Sequence, residues 1–135
     1  MILLPILVAA LLSAALALAS YFHLLYAEAL RLEPDDADAL GAYGETLAAL
    51  GDFPSARGVL ERRLARGDRY PGRAGHCALL GSCLELAGRP EEALAHYGAA
   101  LDSDPLHPVA LESIARVLEG LDRIEPGIAA AERWA

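Results

Sequence analysis

The chain opens with a run of one kind and continues in another. Met1 to Phe22, MILLPILVAALLSAALALASYF, has no charged side chain in 22 residues. From residue 23 onward, charged and apolar positions interleave. ADALGAYGETLAALGD (37–52) and VALESIARVLEGLD (109–122) place apolar residues at i, i+3, i+4 and i+7. That spacing paints one face of a helix. No Gly, Pro or Ser-rich linker separates the apolar run from SYFHLLYAEALRLEPDD (20–36), so one continuous helix is expected from about Leu3 to Leu32.

The apolar run is long enough to cross a bilayer. At 1.5 Å per residue it extends about 33 Å, against a hydrocarbon core of about 30 Å. Pro5 falls in the first turn, where a missing N–H costs little. Tyr21, Phe22, His23 and Tyr26 then fall where an interfacial aromatic belt belongs. A single-pass signal anchor over 1–22 is expected. Its rival is a cleaved secretory signal, because Ala17-Leu18-Ala19 before Ser20 has the small-residue pattern of a cleavage site. The run has no basic residue before it and is longer than the usual apolar segment of such signals. Ala9, Ser13 and Ala17 make a stripe of small residues, the kind of face against which a second membrane helix packs closely.

After residue 22 the chain repeats. Pro34, Pro71 and Pro105 are 37 and 34 residues apart, as are Gly44, Gly81 and Ala115, and Ala56, Ala93 and Gly127. Three markers sharing one pair of intervals indicate internal repeats. Gly51, Gly88 and Gly120 are expected to end first helices, where glycine takes a left-handed cap at little cost. Asp52-Phe53-Pro54 and Arg89-Pro90-Glu91-Glu92 restart the chain with proline in a first turn. Gly44, Ala56, Gly81 and Ala93 are small enough to let paired helices approach.

These spacings resemble the tetratricopeptide repeat. Leu80-Gly81-x2-Leu84, Ala93-x3-Tyr97, Ala100 and Pro105 follow its pattern best. Tyr43-Gly44-x2-Leu47, Ala56-x3-Leu60 and Pro71 follow it with three extra residues near RGDRYPG. Ile114-Ala115-x2-Leu118 begins a third unit, and YAEALRLEP (26–34) aligns with YGAALDSDP (97–105) as the second helix of an incomplete leading one. The implied fold is all-α: an N-terminal transmembrane helix continuing into an α-solenoid of about three helix-turn-helix repeats. Its expected parts are 1–22 as anchor and 23–135 as solenoid. The solenoid divides into a partial leading repeat (24–36), repeat 1 (37–71), repeat 2 (72–105) and a short final repeat (106–135).

Charge narrows the partners. All 30 charged side chains lie after Phe22, and the net charge is −8. So acidic a domain argues against nucleic acid, whose phosphates require a basic face. All basic residues are Arg, with no Lys, which together with abundant Ala, Leu and Gly suggests a GC-rich bacterial gene. Cys77 and Cys83, six apart on one helix, sit about 240° apart around it and about 9 Å apart along it. That is too far for a disulfide, and both read as buried apolar residues. His23, His76, His96 and His107 are scattered. His76 and Cys83 share a face but lie about 10 Å apart along the axis, too far for one metal. No phosphate loop or nucleophile motif is present. No enzyme activity, cofactor, metal or small-molecule substrate is expected.

The resemblance places ligand contacts on the concave face lined by first helices. Here those positions are Asp38, Gly41, Glu45 and Ala48, then Ala78, Ser82 and Glu85, then Glu112, Arg116 and Glu119. They lack the Lys/Asn/Arg clamp that grips acidic peptide tails, and their charge suits a basic or neutral partner segment. Arg57, Arg62, Arg63, Arg66, Arg69 and Arg73 form a basic patch, read either as a solvated face or as a contact with anionic headgroups or an acidic subunit. Arg66-Gly67-Asp68 is a chance match to an adhesion tripeptide. Trp134 would cover the open end of the last repeat or meet a neighbouring subunit. The function expected is a non-catalytic membrane-anchored scaffold, an accessory subunit or assembly factor of a membrane complex. It would reside in a bacterial inner membrane with the repeats on the periplasmic side. The alternative is a secreted peptide-binding module.

Overall fold

Beyond Pro5 nothing in the first 32 residues interrupts helical hydrogen bonding. In the computed structural model, which describes residues 1–124, helix α1 runs unbroken over Leu3–Leu32. It passes through residues 20–26 without a kink or linker, as the absence of breakers predicts. Five more helices follow: α2 (Ala37–Ala49), α3 (Phe53–Leu64), α4 (Arg73–Leu86), α5 (Pro90–Ser103) and α6 (Pro108–Ile124). The described residues contain no strand. They form two units, the first of Met1–Arg66 with α1 to α3, the second beginning at Gly67 with α4 to α6.

Within each unit consecutive helices pack as hairpins, and the pairing is set by small residues. A Cβ on Gly44 of α2 would stand 2.7 Å from Cδ2 of Leu60 on α3. A Cβ on Gly81 of α4 would stand 2.6 Å from Cε1 of Tyr97 on α5. Ala56 and Ala93, the small residues of the facing helices, are fully buried. The core of unit 1 is Ala39, Leu40, Leu47, Ala56 and Leu60; that of unit 2 gathers Cys77, Leu80, Cys83, Leu84, Tyr97, Ala100, Ala110 and Val117. Both cysteines are buried and outside any disulfide, as expected of small apolar residues.

Local signals place the ends. Asp36 caps α2 by accepting from the Ala39 N–H at 3.0 Å, and Asp52 caps α3 through Ser55 N–H at 3.3 Å. Gly51 and Gly88 take φ of 82° and 76° after α2 and α4. In both turns the next N–H reaches back to a carbonyl of the last turn (Asp52 to Leu47 and Arg89 to Leu84, each 2.9 Å), the glycine-capped ending of a helix. Gly120 departs from this expectation. It lies inside α6, which continues to Ile124. Leu121 is buried one turn beyond Val117, so continuing the helix extends its apolar stripe, and glycine tolerates helical φ as well as left-handed φ.

The alignment of YAEALRLEP with YGAALDSDP has a structural counterpart. After α1, Glu33 N–H bonds Ala29 O, Asp36 N–H bonds Glu33 O and Leu40 N–H bonds Asp36 O. After α5, the same three bonds recur at Asp104 to Ala100, His107 to Asp104 and Leu111 to His107. The end of α1 therefore closes as a repeat helix does, although its first half is wholly exposed and uncharged.

Gly81→Ala tests the hairpin constraint. Overpacking a fully buried ring costs about 1–3 kcal/mol, while alanine's helix propensity returns only about 1. Denaturant unfolding should show net destabilisation. Gly44→Ala, whose methyl meets Cγ as well as Cδ2 of the fully buried Leu60, should also destabilise, by less than Gly81→Ala because a leucine side chain shifts more readily than a tyrosine ring.

Candidate functional site

The second unit assembles a polar network from residues the sequence assigned to the groove. Ser82 and Glu85 lie one turn apart on α4, and Arg116 extends from α6. The hydroxyl of the fully buried Tyr97 donates to Glu85 Oε1 and lies 3.2 Å from Ser82 Oγ. Arg116 closes on the same carboxylate with both nitrogens, 2.5 Å to Oε2 and 3.1 Å to Oε1, and reaches the buried Ser113 Oγ at 3.2 Å. Glu85 is 18% exposed and Arg116 58%, so the pair is sheltered on one side and wet on the other.

Electrostatics follow from that geometry. Burial opposes ionisation of Glu85, but the hydrogen bonds from Arg116 and Tyr97 and the Arg116 charge outweigh it. The carboxyl titrates below its ordinary 4.5. Tyr97 is pushed above its usual 10.0 by burial and by donating to an anion. The network joins α4, α5 and α6 through charge-assisted bonds, the stronger kind.

The remaining groove residues separate by burial. Gly41 and Ala78 are buried, which corrects their expected display to a ligand. They lie 37 residues apart at equivalent positions, one turn before Gly44 and Gly81, on the stripe that packs inward. Asp38, Glu45, Glu112 and Glu119 are exposed, and Ala48 is half-buried. Asp38, Gly41, Glu45 and Ala48 belong to the first unit, the others to the second. Two residues the sequence reading missed complete the network. Tyr97 occupies a position where the repeat pattern has phenylalanine, and its extra hydroxyl was a signal that a polar partner stands opposite. Ser113, between the buried Ala110 and Val117, was a polar residue on an apolar stripe.

The arginines do not form one patch. Arg63 is only 3% exposed, a correction to its expected surface position: it follows Ala56 and Leu60 at i+7 and i+3 on the inward stripe. Arg57 lies 4.0 Å from Glu61 in an i,i+4 pair. Arg62 bonds the Pro34 carbonyl and sits 3.6 Å from the Asp35 carboxylate, while Arg66 donates to Asp35 O at 2.8 Å. Arg62 and Arg66 thus tie the end of α3 to the turn after α1. Arg69 and Arg73 belong to the second unit, where with Gly67, Tyr70, Asp102 and Ser103 they line a cleft of about 360 Å³. Tyr70 Oη and His76 Nδ1, 2.7 Å apart, hold that loop against α4. Ala9, Ser13 and Ala17 are exposed along α1. Trp134 lies outside the described residues. Among the described residues, no group of three or more His, Cys, Asp or Glu gathers as metal ligands.

Helical hairpins closed on small residues, repeating with glycine caps, define a class of helix-turn-helix repeat proteins. Two tetratricopeptide repeat family models match the chain, one over residues 23–74 and the other over 77–109. The chain is a tetratricopeptide repeat protein, and repeats of this kind serve protein–protein interaction. No curated protein matches it.

Because Glu85 has a depressed pKa in the fold, its contribution is present above pH 4.5 and disappears as pH falls through the folded value. Glu85→Gln should lower unfolding free energy by about 0.5–1 kcal/mol at pH 7, the size of a partly exposed ion pair. The difference from wild type should shrink as pH falls below 4.5. A double-mutant cycle with Arg116→Ala should return most of that energy as coupling.

Proposed function

We propose that this protein is a non-catalytic, membrane-anchored scaffold that serves as an accessory subunit or assembly factor of a membrane protein complex. The observation that carries the reading is the continuity of α1. Its first half is apolar, uncharged and wholly exposed, a surface that water disfavours and a bilayer accepts. Its second half, from Ala19 onward, is partly covered by the first repeat. An anchor joined by a flexible linker would leave the repeats free to tumble. One joined through helical hydrogen bonds gives the first unit a fixed attitude to the membrane, which suits a part with a set place in an assembly.

Each unit offers its own surface to a partner. Ala9, Ser13 and Ala17 of the first let a partner's transmembrane helix approach closely. The exposed carboxylates Asp38 and Glu45 in the first unit, and separately Glu112 and the Ser82–Glu85–Arg116 network in the second, favour a basic or neutral segment over an acidic tail. The protein sits in a bacterial inner membrane, with the repeats in the periplasm. The competing reading, a secreted module, draws on Ala17-Leu18-Ala19 and on the position of the apolar helix at the N-terminus.

A mild-detergent pull-down of the intact protein beside a form lacking residues 1–22 tests the scaffold reading. The intact form should retain a specific membrane partner, and the truncated form should lose most of it. Retention by neither overturns the reading. N-terminal sequencing of the mature protein should find Met1 or Ile2; a start at Ser20 establishes the secreted alternative.

A further inference from the structure

We infer that the turn between α2 and α3, Leu50 to Asp52 with Phe53 and Pro54, is seated in the lipid headgroup layer. The first repeat therefore rests on the membrane instead of standing away from it. This rests on the reading of α1 as a retained anchor.

The inference follows from levels along the helices of the first unit. Helices α1 and α2 pack side by side and run in opposite directions around the turn at 33–36. The rings of His23 and Tyr43 meet with centroids 5.4 Å apart, which fixes their register. Leu50 lies seven residues beyond Tyr43. At 1.5 Å per residue that carries it about 10 Å back along α1, to about the level of Leu16. Burial sets the edge of the repeat slightly nearer the C-terminal end: every residue of α1 before Ala19 is exposed, and partial cover begins at Ala19, about 4.5 Å from the level of Leu16.

The uncharged run extends to Phe22, about 9 Å beyond Leu16, so a turn seated in the headgroup layer leaves the residues before Ala19 to cross the hydrocarbon and puts Ala19 to Phe22 at the headgroups beside it. The headgroup region adds about 5–7 Å on each side of the hydrocarbon core, enough to receive a turn but not a repeat. The chemistry of the turn suits that layer. Leu50 and Phe53 are half-buried, Gly51, Asp52 and Pro54 are exposed, and the Asp52 carboxylate is engaged as a helix cap.

Arg57 falls at the same boundary. Gly44 touches Leu60, so Arg57, three residues earlier on the antiparallel α3, is level with Leu47 and hence with about Ala19. It is the one arginine of α3 placed to meet lipid phosphates. Arg62 and Arg66 point to the other end, at Pro34 and Asp35. Ser20 and Pro34 are about 21 Å apart along the chain axis, well beyond the screening length of about 8 Å at physiological salt.

The test uses the full-length protein in vesicles of phosphatidylcholine and phosphatidylglycerol. With Trp134→Phe silencing the single native tryptophan, Phe53→Trp and Ala49→Trp report on the turn, and Glu33→Trp reports on the opposite end. Lipids carrying a nitroxide near the headgroup should quench the first two at least twofold more than the third, and their emission should be blue-shifted. Two reporters guard against one that disturbs folding. Equal quenching at all three positions, in protein that still floats with the vesicles, overturns the seated turn and leaves the anchor standing. Protein that does not float overturns the anchor reading, and this inference falls with it.

Discussion

The α2–α3 and α4–α5 hairpins pack as closely as they do because a glycine stands where a side chain would collide with the facing helix. Gly44 lies against Leu60 and Gly81 against Tyr97, with no room for even a methyl group. That proximity lets both helices bury Ala56 or Ala93 completely and sets the register of everything attached to them. The cost is two glycines in helix interiors, each worth about 1 kcal/mol against alanine. Dispersion and apolar burial across the closed interface offset it.

Helix α1 extends the same logic beyond the repeats. Its last three turns behave as a repeat helix, closing with the three backbone bonds that close α5. Its first turns are exposed, with no cover from the other described residues. One hydrogen-bonded rod therefore joins an exposed apolar half to a half packed against α2. Arg62 and Arg66 secure the far end of this hairpin by bonding carbonyls of the α1–α2 turn. Rigidity here comes from ordinary helix packing applied to an unusually long helix.

The polar network of the second unit supplies a different kind of constraint. Tyr97 fills the space over Gly81 with its ring and spends its hydroxyl on Glu85, which in turn holds Arg116. A buried hydroxyl without a partner would cost about 1–3 kcal/mol, so this tyrosine needs a carboxylate opposite. The result couples core packing to the charge pattern of the exposed face. Glu85 and Arg116 offset each other's charge, which leaves this part of the surface less acidic than its sequence suggests.

Much of this was legible in the chain alone. Uncharged length marked α1, periodicity marked the repeats, and the absence of a breaker between 20 and 26 made one helix of 3–32, because each of these is a local property of backbone and side-chain pattern. Gly51 and Gly88 were legible as caps for the same reason. Gly120 was not, because its helix continues for the sake of Leu121, a contact made with another element. The repeat register put Arg63 where a small residue usually stands, but did not tell that so long a cation would be buried there, nor that Arg62 and Arg66 reach the turn after α1. Those facts depend on which neighbour each face meets, and only packing in three dimensions decides that.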